Sequence, residues 1–259
     1  MSHIVIFIGI PANKINSDYS AQHIDQLVEN ILEPYVEETT EEGKMKIDWY
    51  QIGGRWEGAV AAVKGTQDVY PARQFAYQMD EYIAVCCKGM AGPYIAGNTE
   101  YIPVTGARSK DIAWDALNRL ELEKNYTLWK MLLNRDPLFG GKIPDGLEIR
   151  DGDLYLKDGN FLVLKQGETQ EELIKRMNYS FNTAIMPPDA YVDLEGNWHD
   201  DNEIWDEWAS DFNAMSKMMS SDQNPHEKAQ EEFCERAMAF SKNLADDDYF
   251  IVIDGHRFL

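Results

Sequence analysis

Cysteine is scarce: the 259-residue chain has three, Cys86, Cys87 and Cys234. Three thiols, two of them adjacent, cannot make a disulfide framework, which points to a reducing compartment. Long apolar runs are missing too. The longest, Ile4 to Ile10, falls far short of the roughly 18 residues that a membrane-crossing helix needs, and neither a basic segment nor a small-residue cleavage site surrounds it. The expectation is a soluble, untargeted, cytoplasmic protein without membrane association. Bases are the third shortage: 24 Lys and Arg stand against 45 Asp and Glu, for a formal net charge of -21. Proteins that grip nucleic acid neutralise phosphates with Lys and Arg and release counterions, so direct nucleic-acid binding is disfavoured.

What is present is globular. An apolar content of 44% with 27% charged residues builds a sizeable core in one domain or two small ones. No repeat of fixed period and no low-complexity linker interrupts it. The charge is uneven: residues 1–110 carry 14 acids and 9 bases, 111–188 carry 13 and 10, and 189–259 carry 18 and 5, giving -5, -3 and -13. The last segment therefore projects a negative field that would attract a basic protein partner. The plainer reading of the same surplus is a solubilising coat.

Periodicity and turn residues outline the elements. Ile4 to Ile8, stopped by Gly9 and Pro11, reads as a buried central strand. Apolar positions from Ile24 to Val36 recur at helical spacing, with Ser17, Asp18 or Ser20 as cap and Pro34 near the end. Ile47 to Ile52 reads as a second strand closed by Gly53-Gly54, and Tyr82 to Cys87 as another. Asp111 to Asn134 predicts a helix capped by Asp111. Asp158-Gly159 between two apolar runs predicts a hairpin, and Thr169 with Glu172 a capping box. Phe181 to Met186 and Ala190 to Leu194 look extended, ahead of a Glu195-Gly196-Asn197 turn. Two acidic helices follow: Ile204, Trp205, Trp208, Phe212, Met215 and Met219 mark one face of the first, and Asn224-Pro225 opens the second. Tyr249 to Ile253 closes the chain as a strand. The fold class is α+β, a mainly antiparallel sheet with packed helices, residues 1–259 forming one domain from which an acidic helical hairpin, 200–246, projects.

Few segments carry chemistry. In Asp48-Trp49-Tyr50-Gln51-Ile52-Gly53-Gly54-Arg55-Trp56, two glycines beside an arginine flanked by tryptophans would shape an anion pocket. The structural reading is favoured: the glycines make a tight turn, Trp49 and Trp56 anchor the core, and Arg55 stacks or pairs with a carboxylate such as Asp48. Asp254 and His256 are two apart on a strand and share a face, so the carboxylate would orient the imidazole as a base, or simply tie down the terminal strand. His199 with Asp200 and Asp201 is a second ligand-type cluster. A metal site needs three or four convergent ligands, and no spacing in the chain supplies them; no metal and no cofactor is expected. Paired acids such as Asp193/Glu195 and Asp246/Asp247/Asp248 read as solvated turns, and the cysteines as buried and structural.

The Trp49 to Trp56 segment, Gly106-Ala107-Arg108-Ser109-Lys110-Asp111-Ile112, the turn before Asn197-Trp198 and the end Ile251-Val252-Ile253-Asp254-Gly255-His256 together resemble an uncharacterised bacterial and phage family. That family has an initial hydrophobic strand, a W-x-W-Y-x-I-G-G-R-W-like motif, an A-R-x-K-D-I-like motif and a final V-V-D-x-H-like strand. Ile47 replaces the first aromatic, and Arg257-Phe258-Leu259 extends the usual ending. The resemblance implies a shared scaffold and phage or mobile-element ancestry; it transfers no activity.

The leading expectation is a non-enzymatic, phage- or mobile-element-related interaction protein that binds a basic protein surface through its acidic C-terminal helices, as an inhibitor of a nucleic-acid-processing or defence protein would. Its binding residues would be Arg55, Trp56, Trp205, Asp206, Glu207, Trp208 and Asp211. Two alternatives stand beside it. One is a small-molecule binder or hydrolase with Arg55 as anion clamp and His256, oriented by Asp254, as catalytic base. The other is a structural component of a phage or mobile-element assembly.

Overall fold

The computed structural model describes residues 2–15, 19–36, 45–72, 100–114, 116–117, 126, 129–135, 141–143, 145–157, 161–177, 188–211, 216 and 224–257. The expected strand at Tyr82 to Cys87, the Asp158-Gly159 turn, the Phe181 to Met186 segment and the positions Phe212, Met215 and Met219 lie outside these residues.

The chain opens with strand β1, Ser2–Ile10, whose β-branched and aromatic residues favour extended backbone. Helix α1, Ala21–Leu32, follows; the Ser20 side chain accepts a hydrogen bond from the His23 N–H as its N-cap, and Ile24, Val28 and Leu32 are its buried stripe. A single 3-10 turn around Pro34 ends it, since proline cannot donate to the helix ladder. Then come β2 (Trp49–Ile52), β3 (Val60–Val63), β4 (Val69–Pro71) and β5 (Tyr101–Arg108).

The helix expected to start at Asp111 does not start there. Ser109–Asp111 is one 3-10 turn, Ile112 bridges to Ala62, and the Ala113 N–H donates to the Ala61 carbonyl at 2.9 Å. Burial of Ile112 against the sheet, at 5% exposure, holds this stretch extended against its helical periodicity.

Strands β6 (Leu147–Arg150), β7 (Asp153–Leu156) and β8 (Phe161–Leu164) form a separate antiparallel sheet. Its first turn is Asp151-Gly152, with φ of 50° and 92°, the left-handed backbone of a type I′ hairpin. Helix α2, Gln170–Met177, begins with the expected capping box: the Thr169 N–H donates to the Glu172 carboxylate at 2.8 Å and the Glu172 N–H donates to the Thr169 hydroxyl at 3.3 Å. Leu132, Leu147, Leu154, Val163, Leu164 and Leu173 make a core of their own here.

The last third supplies β9 (Ala190–Val192), β10 (Trp198–Asp200), α3 (Asn202–Ser210), α4 (Pro225–Lys242) and β11 (Tyr249–Arg257). The main sheet runs β10-β9-β1-β11-β5-β3, with β2 also on β11 and β4 also on β5. Among the described strands, β1 and β9 are the one pair that runs parallel; the fold is α+β with a mostly antiparallel sheet. No helix among the described residues is long and apolar enough to cross a membrane.

The two terminal strands sit side by side at the centre, aligned from Ser2 opposite Arg257 to Ile10 opposite Tyr249. Alternation then sorts their side chains. Ile4, Ile6, Ile8, Tyr249, Ile251 and Ile253 face the core that includes α1, while Val5, Phe7, Phe250 and Val252 face the core that takes Met238 of α4. Helices α3 and α4 pack together through Ile204, Trp208, Ala229, Phe233 and Ala237. The expected hairpin is thus present, but the far end of α4 is held in the sheet's own core rather than standing off it.

Candidate functional site

Beyond Phe7 and Val252, the second face of the sheet turns polar. β11 is longer than its apolar run, because Asp254, Gly255 and His256 continue to pair with β1 on one side and with β2 on the other. His3 stands opposite His256 and Val5 opposite Asp254, while Trp49 of β2 stands opposite His256 from the other edge. Three strands therefore place His3, His256 and Trp49 in one cross-sheet row, with Asp254 one step inward.

Asp254 is 2% exposed and has one hydrogen-bond partner on each oxygen. Its Oδ1 takes the His3 Nδ1 at 2.8 Å, and its Oδ2 accepts the Arg55 backbone N–H at 3.0 Å. The second bond explains the two glycines. Gly53 and Gly54 have φ of 70° and 50°, and a Cβ on Gly54 would fall 2.4 Å from the Asp254 Cβ. The turn brings main chain against the carboxylate as only glycine allows.

His256 is 5% exposed, and neither ring nitrogen has a hydrogen-bond partner. Leaving a buried polar atom unpaired costs about 1–3 kcal/mol, so the ring is held here against its own preference. Trp49 stacks on it at a centroid distance of 3.6 Å and 22°, and the His3 ring meets it edge-on at 3.8 Å and 66°. Burial first, and then the neighbouring His3 and Arg55, pull His256 below the ordinary histidine range, against the opposing pull of Asp254 and Asp48. Burial thus favours the uncharged imidazole, the form that binds metals. His3, Asp254 and His256 bring ligand atoms within 4.8 Å of one another, the one such group of three among the described residues.

The expected residues fall out as follows. Asp254 and His256 do share a face, but the hydrogen bond that would make a dyad is not formed: Asp254 turns to His3, which the sequence reading did not single out. Both are buried, so His256 is not presented to solvent as a base. Arg55 is exposed, and its structural contribution is its backbone N–H. Trp56 lies in the core at 7% exposure, whereas Trp49, also expected there, is 45% exposed and covers His256.

The second histidine cluster is rearranged. His199 Nε2 meets Asp193 at 3.0 Å and its Nδ1 meets Glu203 at 3.0 Å, so neither ring nitrogen remains for a metal. Asp200, on the opposite side of the strand, is 3% exposed and accepts from the Trp198 indole at 3.0 Å and from Lys46 at 3.3 Å. Burial opposes ionisation of Asp200, but its bonds to Asn202, Trp198 and Lys46 prevail and hold it below the usual carboxylate range. Asp193 also accepts from the Glu195 and Asn197 N–H groups, as a turn residue does.

On α3, Trp208 is 7% exposed and packed inside the helix pair, so it is not on offer to a partner. Trp205 is half-buried against Trp208 and His226. Asp206, Glu207 and Asp211 are exposed, but Glu207 is held by Arg236 at 2.6 and 2.7 Å. Further exposed acids lie on α4: Glu227, Glu231 and Glu235, spaced by four residues. Their i, i+4 spacing was visible in the sequence and puts them in one row. Comparison of the chain with protein-family models, with curated proteins and with solved structures finds no match.

Proposed function

We propose that the chain is a phage- or mobile-element-related interaction protein that docks on a basic protein surface through the acidic side of α3 and α4. The observation that carries this reading is the row Glu227, Glu231 and Glu235, exposed and in no ion pair among the described residues. Asp206 on α3 adds a further exposed carboxylate. Spaced by about one helical turn, roughly 6 Å, such a row presents charge at regular intervals to a Lys- and Arg-rich groove. A groove built to hold phosphate backbones has that chemistry, so an inhibitor of a nucleic-acid-processing or defence protein fits the surface. Trp208 is not part of the docking face, because it is buried in the core shared by the two helices, and charge leads the association.

The test is affinity capture with the full chain at low and moderate salt, read by mass spectrometry, beside a Glu227→Gln/Glu231→Gln/Glu235→Gln variant. A basic partner whose retention drops steeply with salt and with the variant is expected. A partner retained equally in all arms, or one that contacts only residues 1–188, overturns the reading.

A further inference from the structure

We propose that His3, Asp254 and His256 bind a divalent transition-metal ion. Two imidazoles and one carboxylate are the donor set that first-row divalent ions such as zinc take. Their ligand atoms already lie within 4.8 Å of one another. His256 supplies the independent observation: it is 5% exposed, one of its ring nitrogens is among the three converging ligand atoms, and neither nitrogen has a hydrogen-bond partner. A neutral imidazole carries one lone pair and one N–H, so an ion on the lone pair satisfies one of the two buried ring nitrogens that the protein leaves without a partner.

The surroundings are those of a prepared site. The Arg55 N–H, 3.0 Å from Asp254 Oδ2, fixes the carboxylate and leaves Oδ1 towards His3. This is the outer support that ligating carboxylates usually have. Trp49 covers His256 from the solvent side. Without metal, His3 Nδ1 and Asp254 Oδ1 close to 2.8 Å around a hydrogen bond. A tetrahedral ion with bonds of about 2.0 Å spaces its ligands about 3.3 Å apart, so the pair opens by roughly half an ångström. The His3 side chain, 20% exposed, has room to turn. As the ion takes Nδ1, the single N–H of the neutral His3 ring moves to Nε2, so the hydrogen bond to Asp254 is exchanged for the metal bond with no net loss of a proton.

Three protein ligands leave a coordination position open, unlike a closed four-ligand structural zinc site. The ligands come from both ends of the chain, from β1 and from β11, so the ion also clamps the central strand pair. This site is independent of the acidic face on α3 and α4, and either proposal stands if the other falls.

The experiment uses the full chain, stripped with chelator and titrated with Zn²⁺ by calorimetry and with Co²⁺ by absorption spectroscopy. One ion per chain is expected, with the intense visible bands of low-coordinate cobalt. In His256→Gln and Asp254→Asn affinity falls by about 100-fold or more, while His199→Gln leaves it unchanged. Because buried substitutions risk the fold, His3→Gln, at the partly exposed edge, is the second variant, with circular dichroism as the check. No saturable binding of zinc or cobalt by the unmodified chain at neutral pH overturns the proposal, as does a site that survives in His3→Gln and His256→Gln or is lost in His199→Gln.

Discussion

Gly54 sits so close to Asp254 that a methyl group on its Cα would fall 2.4 Å from the Asp254 Cβ and 2.5 Å from its Oδ2. That approach is what lets the Arg55 N–H reach the buried carboxylate. Gly54→Ala must therefore push the turn away from β11 and also hold alanine at φ 50°. We expect a loss of about 2–4 kcal/mol in urea unfolding, from the clash and the strained backbone together. Gly167→Ala is the control. Its φ is 78° and no atom lies within 4 Å of the added Cβ, so only the left-handed conformation is penalised, by roughly 1–2 kcal/mol. Equal losses at the two positions would show that the contact with Asp254 is slack.

The outlines of the fold were readable because they rest on local chemistry. Ser20 and Asn224 cap their helices, Thr169 and Glu172 close the capping box, and the unbroken apolar run Ile4 to Ile8 in β1 marks a strand buried on both faces. What was not readable depends on register. Asp254 and His256 were placed on one face by their spacing of two, yet His3 joins them from 251 residues away. Nothing local fixes which residue of β1 lies opposite His256, since a shift of one position would turn every side chain over. Ile112 failed for a related reason: its periodicity is helical, and a bridge to Ala62 overrode it.

Trp208 and the glutamates of α4 separate stability from charge. Trp208 is 7% exposed in the core shared by α3 and α4, so Trp208→Ala should cost about 3–5 kcal/mol in chemical unfolding. Each of Glu227→Gln, Glu231→Gln and Glu235→Gln touches an exposed side chain and should stay within about 0.5 kcal/mol. If the three glutamates proved as costly as the tryptophan, they would belong to the packing and not to a free surface.

Cys234 should resist alkylation in the folded chain. Burial, first, and the nearby Asp189, Asp201 and Glu231 push its thiol up to about 11. The reactive thiolate is then on the order of 10⁻³ to 10⁻⁴ of the population at neutral pH. Mass spectrometry after iodoacetamide treatment should find Cys234 unmodified until denaturant is added. Rapid native labelling at that position would mean that α4 opens readily.

His199 bridges two elements, taking Asp193 from the β9–β10 turn and Glu203 from α3, with the Tyr191 ring stacked on it at 4.5 Å. Burial alone would lower its proton affinity, but the two carboxylates outweigh that and raise it above the usual histidine value. Arg236 of α4 is the cation on that side, acting on Tyr191. A raised folded-state value means that the stabilisation is complete below the unfolded value of about 6.5 and fades as pH climbs through the folded one. The gap in melting temperature between the unmodified chain and His199→Gln should therefore be widest near pH 6 and shrink towards pH 9. Taking the difference cancels titrations common to both proteins, so a gap that stays constant across that range would mean that His199 is held neutral and that the two carboxylates do not share its charge.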